Sequence, residues 1–293
     1  MLSNIKVLCH SCIRMNKGSI IYFDPFNINE NYNDADLIFI THDHYDHYSE
    51  NDINKVKKEN TVIIAPVDLF DKLQKNGFSK DNIILVEPNK TYIAKGIKFE
   101  TVPAYNTNKA FHPKENKWVG YVLEIKNKRY YIAGDTDITE ENKKVICDVA
   151  FVPVGGTYTM NFNEAANLIN EIKPKIAVPI HYGSIVGNKQ DAMDFVKLLH
   201  PKIEGVILIY LSYYTYKKGI LPKHPKFGKN YIAYIYKQMF TIIINNAIII
   251  LIQLNRSEGY AKMLFLYRFK NFLCFGRMCR KTFRSFWNQP CSS

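Results

Sequence analysis

The sequence predicts a layered α/β domain, with sheets packed inside and helices outside. Short apolar runs of strand length recur through residues 1–211, and segments of helical period lie between them in several separate places. The same residues are close to neutral, with 25 Lys and Arg against 26 Asp and Glu, as an ordinary folded domain is. The net charge of +12 therefore belongs to residues 212–293, which carry 14 Lys and Arg and one acid, Glu258.

In chain order, Ile5–Leu8 and Ser19–Phe23 are strand-like runs around a turn at Asn16-Lys17-Gly18. Asp36–Thr41 is apolar and short enough for a buried strand, and Thr61–Ala65, Asn82–Val86 and Gly96–Val102 read the same way. Val119–Ile125 and Arg129–Ala133 flank Asn127-Lys128, a hairpin signal. Val149–Pro153, Ile176–Pro179 and Gly205–Leu211 complete the strands. Among the helices, Ser49 with Asp52 three residues on resembles a capping box before Ile53–Lys58. Val67–Lys75 stops at Asn76-Gly77. Phe162–Ile172 spaces Ala165, Leu168, Ile169 and Ile172 at helical period and stops before Pro174, and Lys189–Leu199 is the last helix.

Residues 212–293 differ in kind. They hold five of the chain's seven arginines, show no amphipathic period, and are expected not to form a folded domain. Their Ile-rich run, Met239–Leu254, is shorter than the roughly 20 apolar residues that span a bilayer and is broken by Asn245 and Asn246. It leaves membrane association open. Sparse cysteines (Cys9, Cys12 and Cys147 in the first part) give no disulfide framework. Met1–Ile5 leads straight into a strand-like run, so a cytoplasmic location is expected. The Cys9-His10-Ser11-Cys12 spacing falls in a hairpin rather than at a helix start, which favours packing over redox or zinc chemistry.

The chemistry concentrates in Thr41-His42-Asp43-His44-Tyr45-Asp46-His47, directly after an apolar strand. In extended chain, residues two apart face the same way, so His42 and His44 can meet one metal ion. As the chain turns, Asp46 and His47 can point to a neighbouring position. The rival is a polar surface loop, but three of the eight histidines fall within six residues. Such a cluster is costly to bury unless it binds something. Two further segments leave predicted strands with ligand-type residues: Gly134-Asp135-Thr136-Asp137 and Ile180-His181-Tyr182-Gly183.

His-x-His-x-Asp-His, then Gly-Asp-Thr-Asp, then a late His-Tyr-Gly resembles the metallo-β-lactamase fold superfamily across residues 1–211. It is most similar to that superfamily's small metal-dependent hydrolases, which include lactonase-like and phospholipase D-like members. The resemblance implies a four-layer αββα sandwich and two divalent metal ions, with zinc expected and manganese or iron as alternatives. It implies that His42 and His44 bind the first ion, that Asp46, His47 and His181 bind the second, and that Asp135 bridges them. The usual third histidine of the first site falls here at Asn106, in Val102-Pro103-Ala104-Tyr105-Asn106, so the third ligand is either Asn106, an oxygen donor suited to harder metals, or His112 six residues on. His10 matches a histidine often found in an early strand of such hydrolases and is expected near the site.

The expected reaction is attack of a metal-activated water on an ester, lactone, amide or phosphodiester of a small molecule, with Asp46 orienting the water or moving its proton. Tyr105, His112, Lys114 and Lys117 are candidates for holding an anionic group of the substrate, and Gly155–Met160 for a substrate-facing wall. A nuclease and a non-catalytic metal-binding regulator are the alternatives. The near-neutral charge of residues 1–211 argues against nucleic acid as a partner.

Overall fold

The computed structural model describes residues 1–208 and, for the backbone alone, 249–254 and 261–266. In the first unit, β1 (Ile5–Cys9), β2 (Cys12–Asn16), β3 (Ile20–Phe23), β4 (Ala35–Phe39), β5 (Lys57–Pro66) and β6 (Ile83–Val86) form one sheet in sequence order. The hairpin strands β1 to β3 are antiparallel, and β3 to β6 run parallel. A second sheet holds β7 (Thr91–Ala94), β8 (Ile97–Pro103), β9 (Val119–Ile125), β10 (Lys128–Ile132), β11 (Val149–Pro153), β12 (Ile176–Ile180) and the two-residue β13 (Glu204–Gly205). Its first four strands are an antiparallel meander and its last four run parallel.

Helices α1 (Glu50–Val56) and α2 (Phe70–Lys75) cover the first sheet, burying Ile53, Val56 and Leu73 against Ile38, Ile63 and Ala65. Helices α3 (Phe162–Ile172) and α4 (Lys189–Leu198) cover the second, where Ala165, Leu168, Ile169 and Phe195 meet Ala150, Val152 and Ala177. Between the sheets lies an aromatic layer. Phe39 stacks on Phe23 with ring centroids 5.0 Å apart and meets Phe99 and Tyr121 of the second sheet edge-on, each at 5.0 Å. The order helix, sheet, sheet, helix is the αββα sandwich, because each sheet is apolar on both faces and must be covered twice.

The local signals act as read. Ser49 caps α1, accepting from Asp52 N–H, although the helix ends at Val56 because Lys57 already opens β5. Asn161 caps α3 in a full capping box, and Lys173 takes a left-handed backbone before Pro174. Strands β2 and β7 add to those expected. Gly205–Leu211 is corrected: only Glu204–Gly205 pairs, 206–208 are irregular, and 209–211 lie outside the described residues. Val206 N–H donates to Ala177 O at 2.9 Å, which ends the sheet against β12.

In residues 212–293 the structure describes β14 (Ile249–Leu254) paired antiparallel with β15 (Ala261–Leu266), so the end of the Ile-rich run is extended chain. The remainder of that run lies outside the described residues. Among the described residues, no helix is long and apolar enough to cross a membrane.

Tyr121 shows how the two sheets are tied near the site: its buried hydroxyl donates to Ile40 O at 2.6 Å, at the end of β4. Tyr121→Phe is expected to lower stability by about 1–2 kcal/mol, because a buried acceptor loses its donor. An unchanged denaturant midpoint would contradict that role.

Candidate metal centre

The candidate residues leave the ends of five strands and one hairpin turn. His10 sits in the turn after β1 and Asp24 follows β3. Thr41–His47 follows β4, Asn106 to His112 follows β8, Asp135 follows β10 and His181 follows β12. The parallel strands set this arrangement, since β4 is buried along Leu37–Phe39 and polar residues can begin only where the chain leaves the sheet. A backbone hydrogen bond from His181 N–H to His10 O, 3.1 Å long, joins the two sheets there.

Within the leading motif the chain turns as expected. The N–H groups of His47 and Tyr48 both donate to His44 O, at 2.9 and 2.7 Å, and this turn carries Asp46 towards His10 and His181 while the His47 ring stays 4.0 Å from that of His42. Three overlapping sets of possible ligand atoms result, each within 4.8 Å: His42, His44 and His112; His10, Asp46, His47 and His181; and His42, His47 and Asp135. Asp135 lies between the first two. Its Oδ2 is 3.0 Å from His181 Nε2, 3.3 Å from His112 Nε2 and 3.9 Å from His42 Nε2, while its Oδ1 is 3.3 Å from His47 Nε2. Asp46 Oδ2 lies 3.2 Å from His10 Nε2, 3.5 Å from His47 Nε2 and 3.7 Å from His181 Nε2.

Apart from the half-buried His44, these side chains are buried. Even so, among the described residues His47 Nε2, His112 Nε2, Asp135 Oδ1 and both ring nitrogens of His10 and His181 make no well-aligned hydrogen bond, the Nε2 atoms meeting carboxylate oxygens only as ion-pair neighbours. Orphaned buried donors and acceptors that converge on one space are costly, and a divalent cation is what such a set of imidazoles and carboxylates satisfies. The residues fit the ions. Burial, only partly offset by Asp46, pushes His10 down to about 4, and burial with the neighbouring His47 charge holds His42 well below its ordinary value. Both therefore present lone pairs. Burial opposes ionisation of Asp135, yet His181 and His47 hold it well below the carboxylate range. Asp46 is lowered likewise, against burial, by His10, His181 and His47. Burial is also overcome at His47, raised well above its ordinary value by Asp135 and Asp24, and at His181, raised by Asp135.

Residues outside the motif hold this set. Asp24 accepts from Thr41 N–H and Oγ1–H, both at 2.8 Å, and from His47 Nδ1 at 2.7 Å, which turns His47 Nε2 inward. Asn106 Oδ1 accepts from the N–H and Nδ1 of His112, at 3.0 and 2.9 Å. Of the two alternatives after β8, His112 therefore faces the centre and Asn106 stands behind it. The buried Trp118 ring lies 5.0, 4.9 and 5.8 Å from those of His42, His44 and His112, and its Nε1–H donates to Asp68 at 2.8 Å. His10, Asp24 and His181 have φ of 50°, 42° and 57°, left-handed backbone that costs on the order of 1 kcal/mol each and collects at functional sites. Gly155 permits the last of these, since a Cβ there would stand 2.4 Å from His181 O.

Tyr105 and Lys114 lie apart from the three ligand sets. Lys114 Nζ is bound to Glu141 at 2.9 Å and to the Tyr105 hydroxyl at 3.1 Å, and that hydroxyl donates to Glu141 at 2.8 Å. They line, with Lys117, a groove of about 360 Å³ rather than joining the ligand sets, and Glu141 already neutralises the lysine. The roles of Asp24 and Trp118 were not anticipated. An acid closing Ile20–Phe23, before Pro25, was the available signal for Asp24, whereas Trp118 offered none.

The fold and the paired clusters together define a metallo-β-lactamase-type domain. The model of the beta-lactamase superfamily domain matches residues 4–181, and the chain belongs to that family. It is 31% identical over 181 residues to a UPF0173 metal-dependent hydrolase of Thermococcus onnurineus, covering 60% of this chain and 79% of that one. A similarly named Geobacillus protein is 30% identical, over 68% of this chain and 93% of its own. The crystal structure of a candidate metal-dependent hydrolase from Parabacteroides distasonis is 32% identical, with a TM-score of 0.60 over 70% of this chain and 91% of its own. A metallo hydrolase from Ignicoccus hospitalis, 21% identical, shares the fold with a TM-score of 0.58 over 70% of this chain and 94% of its own. Within the family, the chain is a metal-dependent hydrolase.

Exchange of His112 for alanine is expected to weaken metal binding by about tenfold or more with the fold retained, as judged by circular dichroism. Unchanged metal content with a raised KM would assign His112 to substrate instead.

Proposed function

We propose that this chain hydrolyses an ester, lactone, amide or phosphodiester bond of a small molecule with two divalent metal ions, zinc in the first instance. The observation that carries the reading is the pair of buried clusters sharing Asp135, rich in imidazole nitrogens left without hydrogen bonds. His42, His44 and His112 would hold one ion, and Asp46, His47 and His181, joined by His10, the other. Nitrogen donors favour zinc, while the two carboxylates keep manganese and iron as alternatives. When bound, such ions supply Lewis acidity and lower the pKa of water to about 7. Asp46, kept ionised at the centre by His10, His181 and His47, would orient that water as a hydrogen-bond acceptor. Asp24 and Asn106 fix the rings of His47 and His112, so little reorganisation is needed on reaction.

A panel of esters, lactones, amides, phosphodiesters and nucleic acids, assayed with added metals and after chelation, tests the reading. Metal-dependent turnover of a small molecule supports it. Cleavage of nucleic acid alone would make the chain a nuclease, and two bound metals without turnover would make it a regulator. A cytoplasmic location belongs to the same proposal and rests on the free thiols of Cys9, Cys12 and Cys147.

Residues 212–293 belong to the proposal as dispensable. A Pyrococcus abyssi relative is matched over 95% of its own length by 70% of this chain, so its match leaves the rest of the chain without a counterpart. A chain ending at Leu211 is expected to fold, bind metal and turn over as the full chain does, and to be more soluble without the Ile-rich run. Failure of that shortened chain to fold, or activity found only in membrane-bound full-length protein, would overturn this.

A further inference from the structure

The buried centre has one partly open side. His44 is the half-buried member of the ligand sets, so approach to the metals runs past it. The surroundings of that opening are aromatic. Tyr45, next in the chain, is 67% exposed, and its ring meets Phe26 edge-on at 6.1 Å. Phe26 in turn lies 6.3 Å from the ring of His10. On the other side Phe111, next to His112, is 48% exposed and meets Tyr158 edge-on at 4.7 Å. Large apolar side chains left in water beside a buried polar centre call for something to cover them, and a ligand entering the centre does so.

Two lysines beside this mouth are already matched. Asp43, adjacent to His44, is paired with Lys72, and Lys109, three residues before His112, is held by Asp137 at 2.6 Å. Neither lysine is free to receive a phosphate or carboxylate of a substrate. Resting on the hydrolase reading above, the geometry points to a narrower substrate class: an uncharged ester, lactone or amide whose acyl group is a medium-length alkyl or aryl chain. Phe26, Tyr45, Phe111 and Tyr158 grip that chain while the scissile carbonyl reaches past His44. Hydrolysis adds water across the acyl bond, giving a carboxylic acid and an alcohol or amine.

Two measurements on the metal-loaded full chain test this. With 4-nitrophenyl acetate, butyrate and octanoate, kcat/KM is expected to rise by about threefold per added methylene until the mouth is filled. The double variant Tyr45→Ala, Phe111→Ala should flatten that series with metal content unchanged. A faster rate on bis(4-nitrophenyl) phosphate than on every ester would overturn the proposal while leaving the metal-hydrolase reading intact. Calorimetric binding of octanoate against acetate reads the mouth without turnover. A preference for octanoate of tenfold or more, lost in the double variant, supports the acyl-gripping mouth, and if no ester is then cleaved it is the hydrolase reading that fails. Equal affinities in the unaltered protein overturn the proposal.

Discussion

Asp135→Ala is expected to lose metal and hydrolysis together, with kcat/KM falling by about 10²–10³. One carboxylate faces His181, His112 and His42 with Oδ2 and His47 with Oδ1, so both proposed ion positions depend on it. Charge stabilisation by metal ions is worth several kcal/mol, and each ~1.4 kcal/mol is a factor of ten in rate. The free variant also loses the negative charge that His47 and His181 face, so the cluster becomes a set of buried imidazoles with less to offset their mutual repulsion. Elemental analysis decides the matter. Retained occupancy by two ions would remove Asp135 from the bridging position, and metal loss without loss of turnover would remove the metals from the reaction.

The second large effect lies outside the motif. Asp24→Asn is expected to reduce metal affinity by about 10- to 100-fold, the usual consequence of losing a group that orients a ligand. Asp24 makes no approach to the ion positions; it sets the ring of His47 through Nδ1 and anchors Thr41 at the start of the motif. Asp24→Ala should cost more, because Thr41 N–H, Thr41 Oγ1 and His47 Nδ1 would be left buried without this acceptor, at about 1–3 kcal/mol each. Circular dichroism of the Asn variant separates the two effects. Native metal affinity in a folded Asp24→Asn protein would show that Asp24 serves the fold alone.

The proposed metal set also dictates how binding depends on pH. Imidazoles bind metal only when neutral, so acid releases the ions, and burial lets His42 and His10, the latter held down to about 4, keep their lone pairs into acid.

The sequence by itself determined the layered α/β architecture and the leading motif, because both are written in local order. Buried strands such as Leu37–Phe39 must be continuous apolar runs, and helix α3 carries its period, cap and stop within a dozen residues. His42, His44, Asp46 and His47 were legible for the same reason, being neighbours in the chain. Asp135 and His181 were legible as strand-end residues, though their common destination came from resemblance to a family rather than from spacing. Only the tertiary structure decided what depends on parallel strands meeting across long separations. It put His112 rather than Asn106 inward, because Asn106 Oδ1 accepts from both the N–H and Nδ1 of His112 and so holds that ring from behind. It matched Lys114 to Glu141, which a sequence cannot foresee when the two lie 27 residues apart. It brought Asp24 beneath His47 because β3 and β4 pair in parallel and end together, and it brought His10 to Asp46 across the hairpin turn after β1. A motif fixes which atoms can bind a metal, but their number, partners and access are set by strands whose ends coincide only after the chain has folded.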